Sequence, residues 1–235
     1  MEQSLFRSYT EEEIINLINE NKVEEDLRDL LISSINCRKN KIAKHLIDLN
    51  VPYDYLDKLQ YDAYLMAVAR GSTEIIKKLQ EKGLNLFKKY NIDNKELTAL
   101  SFIKDLDTLH FFEQNGATKN KIEESSGDIV RGTIMYHNLE LLKYLIDTYS
   151  IDITKIFYTT PSKSYTILEK SEEILNFMSD KLTRRREMTF FADELLYGEE
   201  NYDRIIKKAY QRLSELENDI KEIKEYHEYV NSLYN

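Results

Sequence analysis

The chain has 235 residues, 32% of them charged and 42% hydrophobic, with a formal net charge of −9. The apolar fraction excludes overall disorder, and the acidic balance excludes nonspecific binding to nucleic acid, which rests on neutralising phosphates. A single cysteine excludes a disulfide framework, and 2 Pro with 6 Gly imply mostly helix joined by short connections.

The opening MEQSLFRSYTEEE is acidic and lacks the apolar stretch of a secretory signal. No apolar run approaches a membrane span, so a cytoplasmic protein without membrane contact is expected. Thr10 and Glu13 form a capping box ahead of EEEIINLINEN, where Ile14, Leu17 and Ile18 make one apolar stripe. That helix is out of phase with the repeat that begins at residue 29, so residues 1–28 are expected to form an N-terminal cap.

From residue 29 onward the chain counts in thirty-threes. GSTEIIKKLQEKG at 71–83 repeats the pattern of RKNKIAKHLIDLN at 38–50. Steps of 33 from Ile42 reach Ile75, Thr108, Leu141 and Ile174, and four places beyond each lie Leu46, Leu79, Phe112, Leu145 and Met178. Each unit resolves into two short helices. In the second, Tyr64, Leu65, Met66, Val68 and Ala69 form one apolar segment that breaks near Gly71. Ile75, Ile76 and Leu79 then run on to Gly83, a residue suited to the left-handed position after a helix. Gly116 and Asn50 take that place in the neighbouring units. Such pairs are too small to bury their own apolar faces, so neighbours must stack.

A helix–turn–helix unit of this length ending in Gly resembles the ankyrin repeat. The likeness covers residues 29–190 and is carried best by DAYLMAVARGSTEIIKKLQEKGLN, with Ala67, Gly71, Glu74, Ile75, Ile76, Leu79 and Gly83 at the family's positions. HNLELLKYLID (137–147) and SEEILNFMSD (171–180) match the family's second helix, and TALSFIKDLDTLHFFEQNGA (98–117) matches more loosely. The Thr-Pro-Leu-His opening is absent, and the first, fourth and fifth units lack the glycine between helices. The resemblance implies an all-α, ankyrin-like solenoid of about five units with a capping helix and a long C-terminal helix. Another α-solenoid is the alternative.

Residues 191–235 form the expected C-terminal extension. REMTFFADELLYGEEN puts Met188, Phe191 and Leu195 on one face before a turn at Gly198, and Asn201 suits an N-cap. Tyr202, Ile206, Ala209, Leu213, Leu216, Ile220, Ile223, His227, Val230 and Tyr234 then alternate by four and three, as in a coiled-coil seam. The preceding helix is expected to be less than half as long, leaving seam uncovered. Docking over the outer helices of the repeats in a monomer is favoured, because Ile205, Tyr210 and Tyr226 widen the apolar face and His227 weakens a dimer. The alternative is a parallel homodimer with Arg212 facing Glu217 and Asp219 facing Lys224.

Catalytic chemistry is not expected. The glycines are scattered, without a phosphate-cradling loop, and Cys37 reads as a packed or half-exposed thiol near a helix end. His45, His110, His137 and His227 lack metal-ligand spacing, so neither metal nor cofactor is expected. IEESSGD (122–128) reads as a plain turn in preference to a cation-holding loop, and Arg184, Arg185 and Arg186 as a helix end.

The resemblance implies that partners are met by the turn before each first helix and by the end of that helix. The positions are Tyr61 and Asn94 before first helices, and Asn36, Ala69, Arg70, Met135, Tyr136 and Glu169 at their ends. Nearby loops add Tyr53, Asp54, Tyr55, Asp57, Tyr90 and Asp93, whose tyrosines suit binding hot spots or, equally, packing between loops. An acidic rim predicts a basic partner. The expected function is a noncatalytic module that recognises and inhibits or sequesters another protein. The Ile, Lys, Asn and Tyr bias suggests an AT-rich genome, where the resemblance implies an immunity protein or a counter-defence factor. A structural protein that self-associates through its C-terminal helix is the alternative.

Overall fold

The computed structural model describes residues 2–57, 60–92, 95–160, 162–196 and 202–235, which are mostly helical. They divide into two units, Met1–Gly132 and Thr133–Asn235. The border lies inside a helix, and neither of the borders expected at 28/29 and 190/191 coincides with it.

In the first unit α1 (Glu2–Ser8) precedes α2 (Glu11–Asn19), whose start has the predicted capping box. The Thr10 N–H donates to Glu13 Oε2 at 2.7 Å, and the Glu13 N–H donates to Thr10 Oγ1 at 3.3 Å. Two of the orphan donors at the helix start are thereby satisfied. Ile14 and Ile18 are buried, and α2 rests on α4.

Next come α3 (Leu27–Asn36), α4 (Asn40–Asp48), α5 (Ala63–Ala69) and α6 (Thr73–Glu81). First helices pack on first helices, α3 against α5, and second on second, α4 against α6. The columns of the thirty-three-residue step become the core: Leu30, Leu31, Ile42, Leu46, Tyr64, Leu65, Ile75 and Leu79 are all fully buried.

The next unit departs from the expected pattern. An antiparallel hairpin, β1 (Lys89–Ile92) and β2 (Lys95–Thr98), leads into a 3-10 turn at Ala99–Phe102 where a first helix was expected. Only the second helix, α7 (Leu106–Gln114), keeps its place, and α8 (Lys119–Tyr136) comes after it.

The turn between paired helices keeps its register even without glycine. Arg38, Gly71 and His137 have φ of 56°, 66° and 52°, on the same thirty-three-residue step. Asn50, Gly83 and Gly116 take the left-handed position after second helices, with φ of 58°, 93° and 95°. Arg38 and His137 accept a conformation that costs a non-glycine residue about 1–2 kcal/mol.

Gly71 is required twice over. Besides its positive φ, a Cβ there would press on the Asp105 carboxylate. Asp105 is the N-cap of α7 and accepts from the Thr108 N–H at 2.8 Å. Gly71→Ala is therefore expected to lower stability by about 2–3 kcal/mol, combining left-handed strain with a disturbed cap. Gly83→Ala, whose Cβ would meet nothing within 4 Å, should lose only the backbone part. Urea unfolding of both variants checks this, and equal losses would refute the role of Asp105.

The second unit holds α9 (Leu139–Tyr149), a hairpin of β3 (Phe157–Thr159) and β4 (Ser164–Thr166), α10 (Ile167–Leu196) and α11 (Tyr202–Tyr234). The expected helix–turn–helix at 160–190 is replaced by the hairpin and one helix of 30 residues. Its predicted second-helix segment, 171–180, simply continues through the stretch expected to be a separate short helix. Arg184, Arg185 and Arg186 consequently sit in mid-helix, not at an end. The turn at Gly198 and the cap at Asn201 lie outside the described residues.

Because α10 nearly equals the 33 residues of α11, the two pair antiparallel along their lengths. Ser171 Oγ meets His227 Nδ1 at 2.9 Å, Arg186 Nη2 donates to Glu217 Oε1 at 2.6 Å, and Tyr210 OH donates to Asp193 Oδ2 at 3.2 Å. The seam residues Ile206, Leu216, Ile220, Ile223 and Val230 are buried with Tyr226, and Leu213 is half-buried. Tyr226 OH lies 2.8 Å from Thr133 Oγ1, and burial pushes its pKa up. The seam thus docks mainly on α10, a helix expected from the sequence to be too short to cover it.

His137 introduces a pH dependence. Burial lowers its pKa below the usual 6.5, while Asp219 and Glu222 pull the other way. The unfolded chain therefore takes up this proton first. Stability from this site is present above pH 6.5 and falls as the pH drops from there through the folded pKa. His137→Asn, which tolerates the same φ, should flatten that slope in urea titrations below neutrality, and an unchanged slope would count against this account.

Candidate partner-binding groove

Neighbouring helix pairs bring their first-helix ends together in the first unit. Ile32, Ser33 and Asn36 from α3 and Met66, Ala69 and Arg70 at the end of α5 line an open groove of about 400 Å³, with Asp57, Tyr61 and Lys104. The pairs Ile32 with Met66 and Asn36 with Arg70 lie 34 residues apart. Arg70 Nε donates to Asn36 Oδ1 at 2.8 Å, and Nη2 donates to the same oxygen. A guanidinium has five donors, so this clamp leaves Arg70 capacity for a second acceptor. Arg70 itself is exposed.

The loop on the groove's edge is closed by its own hydrogen bonds. The Asp57 N–H donates to Tyr61 O at 2.8 Å, and the Tyr61 N–H donates to Asp57 Oδ1 at 2.9 Å. The Tyr61 ring meets Phe102 edge-on, with centroids 5.5 Å apart. Behind it Asp62 is fully buried and caps α5 by accepting from the Leu65 N–H at 2.8 Å. Its other oxygen accepts from Tyr90 OH at 2.9 Å and Lys88 Nζ at 3.0 Å. Burial first, and Asp62 next, push the Tyr90 hydroxyl pKa well up.

Of the predicted site residues, the structure brings together Asp57, Tyr61 and Arg70, with Asn36 and Ala69. Tyr90 departs from its expected role: only 7% exposed and bonded to Asp62, it belongs to the core. Tyr55 lies under the Arg28 guanidinium at 4.6 Å. Tyr53 and Asp54 line a separate depression with Asn50, Pro52 and Lys82. Tyr136 and Met135 are half-exposed at the end of α8, within the second unit. Glu169 starts a helix instead of ending one, accepting from the Thr166 N–H at 2.8 Å. Asp93 and Asn94 lie outside the described residues.

Lys104, Ile32, Ser33 and Met66 were not anticipated. On the thirty-three-residue step Lys104 falls at the place of Gly71, not of Arg70, so the repeat carried no signal for it. Arg70 and Lys104 line the groove together with Asp57, so it carries both signs of charge. Among the described residues no group of three or more His, Cys, Asp or Glu side chains is arranged to hold a metal ion. No helix there is long and apolar enough to cross a membrane. No protein-family model matches the chain, and no curated protein matches it significantly.

Proposed function

We propose that this chain is a noncatalytic, ankyrin-like module of the cell interior that recognises another protein through the Asn36–Arg70–Tyr61 groove and inhibits or sequesters it. The observation that carries the reading is the convergence on a single open groove of residues one repeat apart, Ser33 with Met66 and Asn36 with Ala69. A stacked-repeat protein presents extended binding surfaces of this kind. The groove offers an exposed arginine clamped by Asn36 and an aromatic ring held on a closed loop, both frequent at binding hot spots. An immunity or counter-defence role follows from the resemblance and the composition, and a monomer is favoured because α11 has its seam against α10.

A pull-down from the source organism should recover one tight partner encoded nearby. Arg70→Ala with Tyr61→Ala should weaken that complex by about 2–4 kcal/mol, while loss of the Phe102 contact and the Asn36 clamp lowers the melting temperature only modestly. Many weak partners, or affinity untouched by the double change, would sink the proposal.

A further inference from the structure

The exposed side of α10 combines features that its packing against α11, β3 and β4 does not use. Phe177 and Met188 are 65% and 64% exposed. With Lys181 and Arg184 they fall at i, i+4, i+7 and i+11, one stripe about 16 Å long on the helix surface. Arg185 flanks it, and together with Asp180 these side chains line a shallow depression of about 360 Å³. The helix buries a different side, marked by Ser171 and Thr189, roughly a third of a turn away. Among the described residues no carboxylate pairs with Lys181, Arg184 or Arg185, whereas Arg186, the next in line, is held by Glu217. Three cations around two large apolar side chains are the reverse of the chain's overall charge of −9.

We infer that this stripe is a docking surface for an acidic amphipathic helix of a partner protein. A straight face three turns long matches a helix laid alongside it, with apolar anchors on Phe177 and Met188 and carboxylates meeting Lys181, Arg184 and Arg185. The net charge opposes an anionic membrane and nucleic acid alike, because the rest of the surface repels both. A second copy of the chain is a poor occupant through its acidic α2. There Ile14 and Ile18 are already buried, and Glu11 and Glu12 already engage Lys41. The surface is independent of the groove, so it holds whichever partner the groove takes.

The test uses the full chain and two labelled helical peptides about 18 residues long. Both carry one leucine stripe, flanked by glutamates in one and by lysines in the other. The glutamate peptide should bind by fluorescence anisotropy, more weakly as ionic strength rises. Its affinity should fall about tenfold in Arg184→Glu/Arg185→Glu and again in Phe177→Ser/Met188→Ser. Circular dichroism melting should be unchanged, since these side chains reach solvent. Several results would overturn the inference: no binding of the glutamate peptide, equal binding of the lysine peptide, or variants that bind like wild type. Binding to phosphatidylserine vesicles in place of the peptide would make the occupant a membrane. A wild-type dimer that Phe177→Ser renders monomeric would make it a second copy.

Discussion

Aspartate at both Leu216 and Ile223 is expected to unfold the α10–α11 hairpin in a protein whose mass is that of a monomer before and after. Leu216 is 6% exposed and Ile223 1%, both on the seam that faces α10. Burial of each apolar side chain contributes about 1.5–3 kcal/mol. A carboxylate in its place brings a further several kcal/mol of desolvation, or forces the helix away from its partner. The sum is of the order of a whole domain's stability, about 5–15 kcal/mol. Lys221→Asp, on the exposed side of the same helix, changes charge without touching the seam and should lose little. Far-UV circular dichroism on heating reads the loss of helix, and light scattering reads the mass. A dimeric wild type whose mass halves in the double variant, with helix content retained, would show instead that the seam joins two chains.

The parts of the fold legible in the sequence are those decided by neighbours along the chain or by a fixed step. The capping box at Thr10 and Glu13 is a contact across three residues. The buried columns through Ile42, Ile75 and Leu141 repeat a spacing, and Asn50, Gly83 and Gly116 stand where backbone sterics admit few residue types. The same register misled where the chain abandons it. Between Pro161 and Gly198 there is neither proline nor glycine, so nothing breaks α10, and pairing with an equally long α11 outweighs the thirty-three-residue count. The hairpin at 89–98 shows only weak alternation around Tyr90 and Ile92, too short to compete with a helical reading. In the groove, Arg70 and Tyr61 were legible by position. The burial of Tyr90 was not, because it depends on a carboxylate 28 residues away.

That carboxylate is where a single substitution in the first unit should do most harm. Asp62 is fully buried, and its two oxygens take three donors: the Leu65 N–H, Tyr90 OH and Lys88 Nζ. Asp62→Ala removes an N-cap, which costs about 1 kcal/mol. It also leaves the buried Tyr90 hydroxyl without its acceptor, a loss of about 1–3 kcal/mol. Lys88 is 37% exposed and can turn its charge to water, which tempers the ionic part. A total of about 2–4 kcal/mol is expected. Asp62→Asn keeps one oxygen for the cap and should lose less. Tyr90→Phe combined with Asp62→Ala should be milder than the two changes added, because the phenyl ring no longer needs a partner. The consequence reaches the groove, since Asp62 adjoins Tyr61 and ties the loop's end to the β1–β2 hairpin. Chemical denaturation of the four proteins gives the coupling energy. Strict additivity would mean that Asp62 and Tyr90 act independently, and the tie from Asp62 to the hairpin would then play no part in placing the loop.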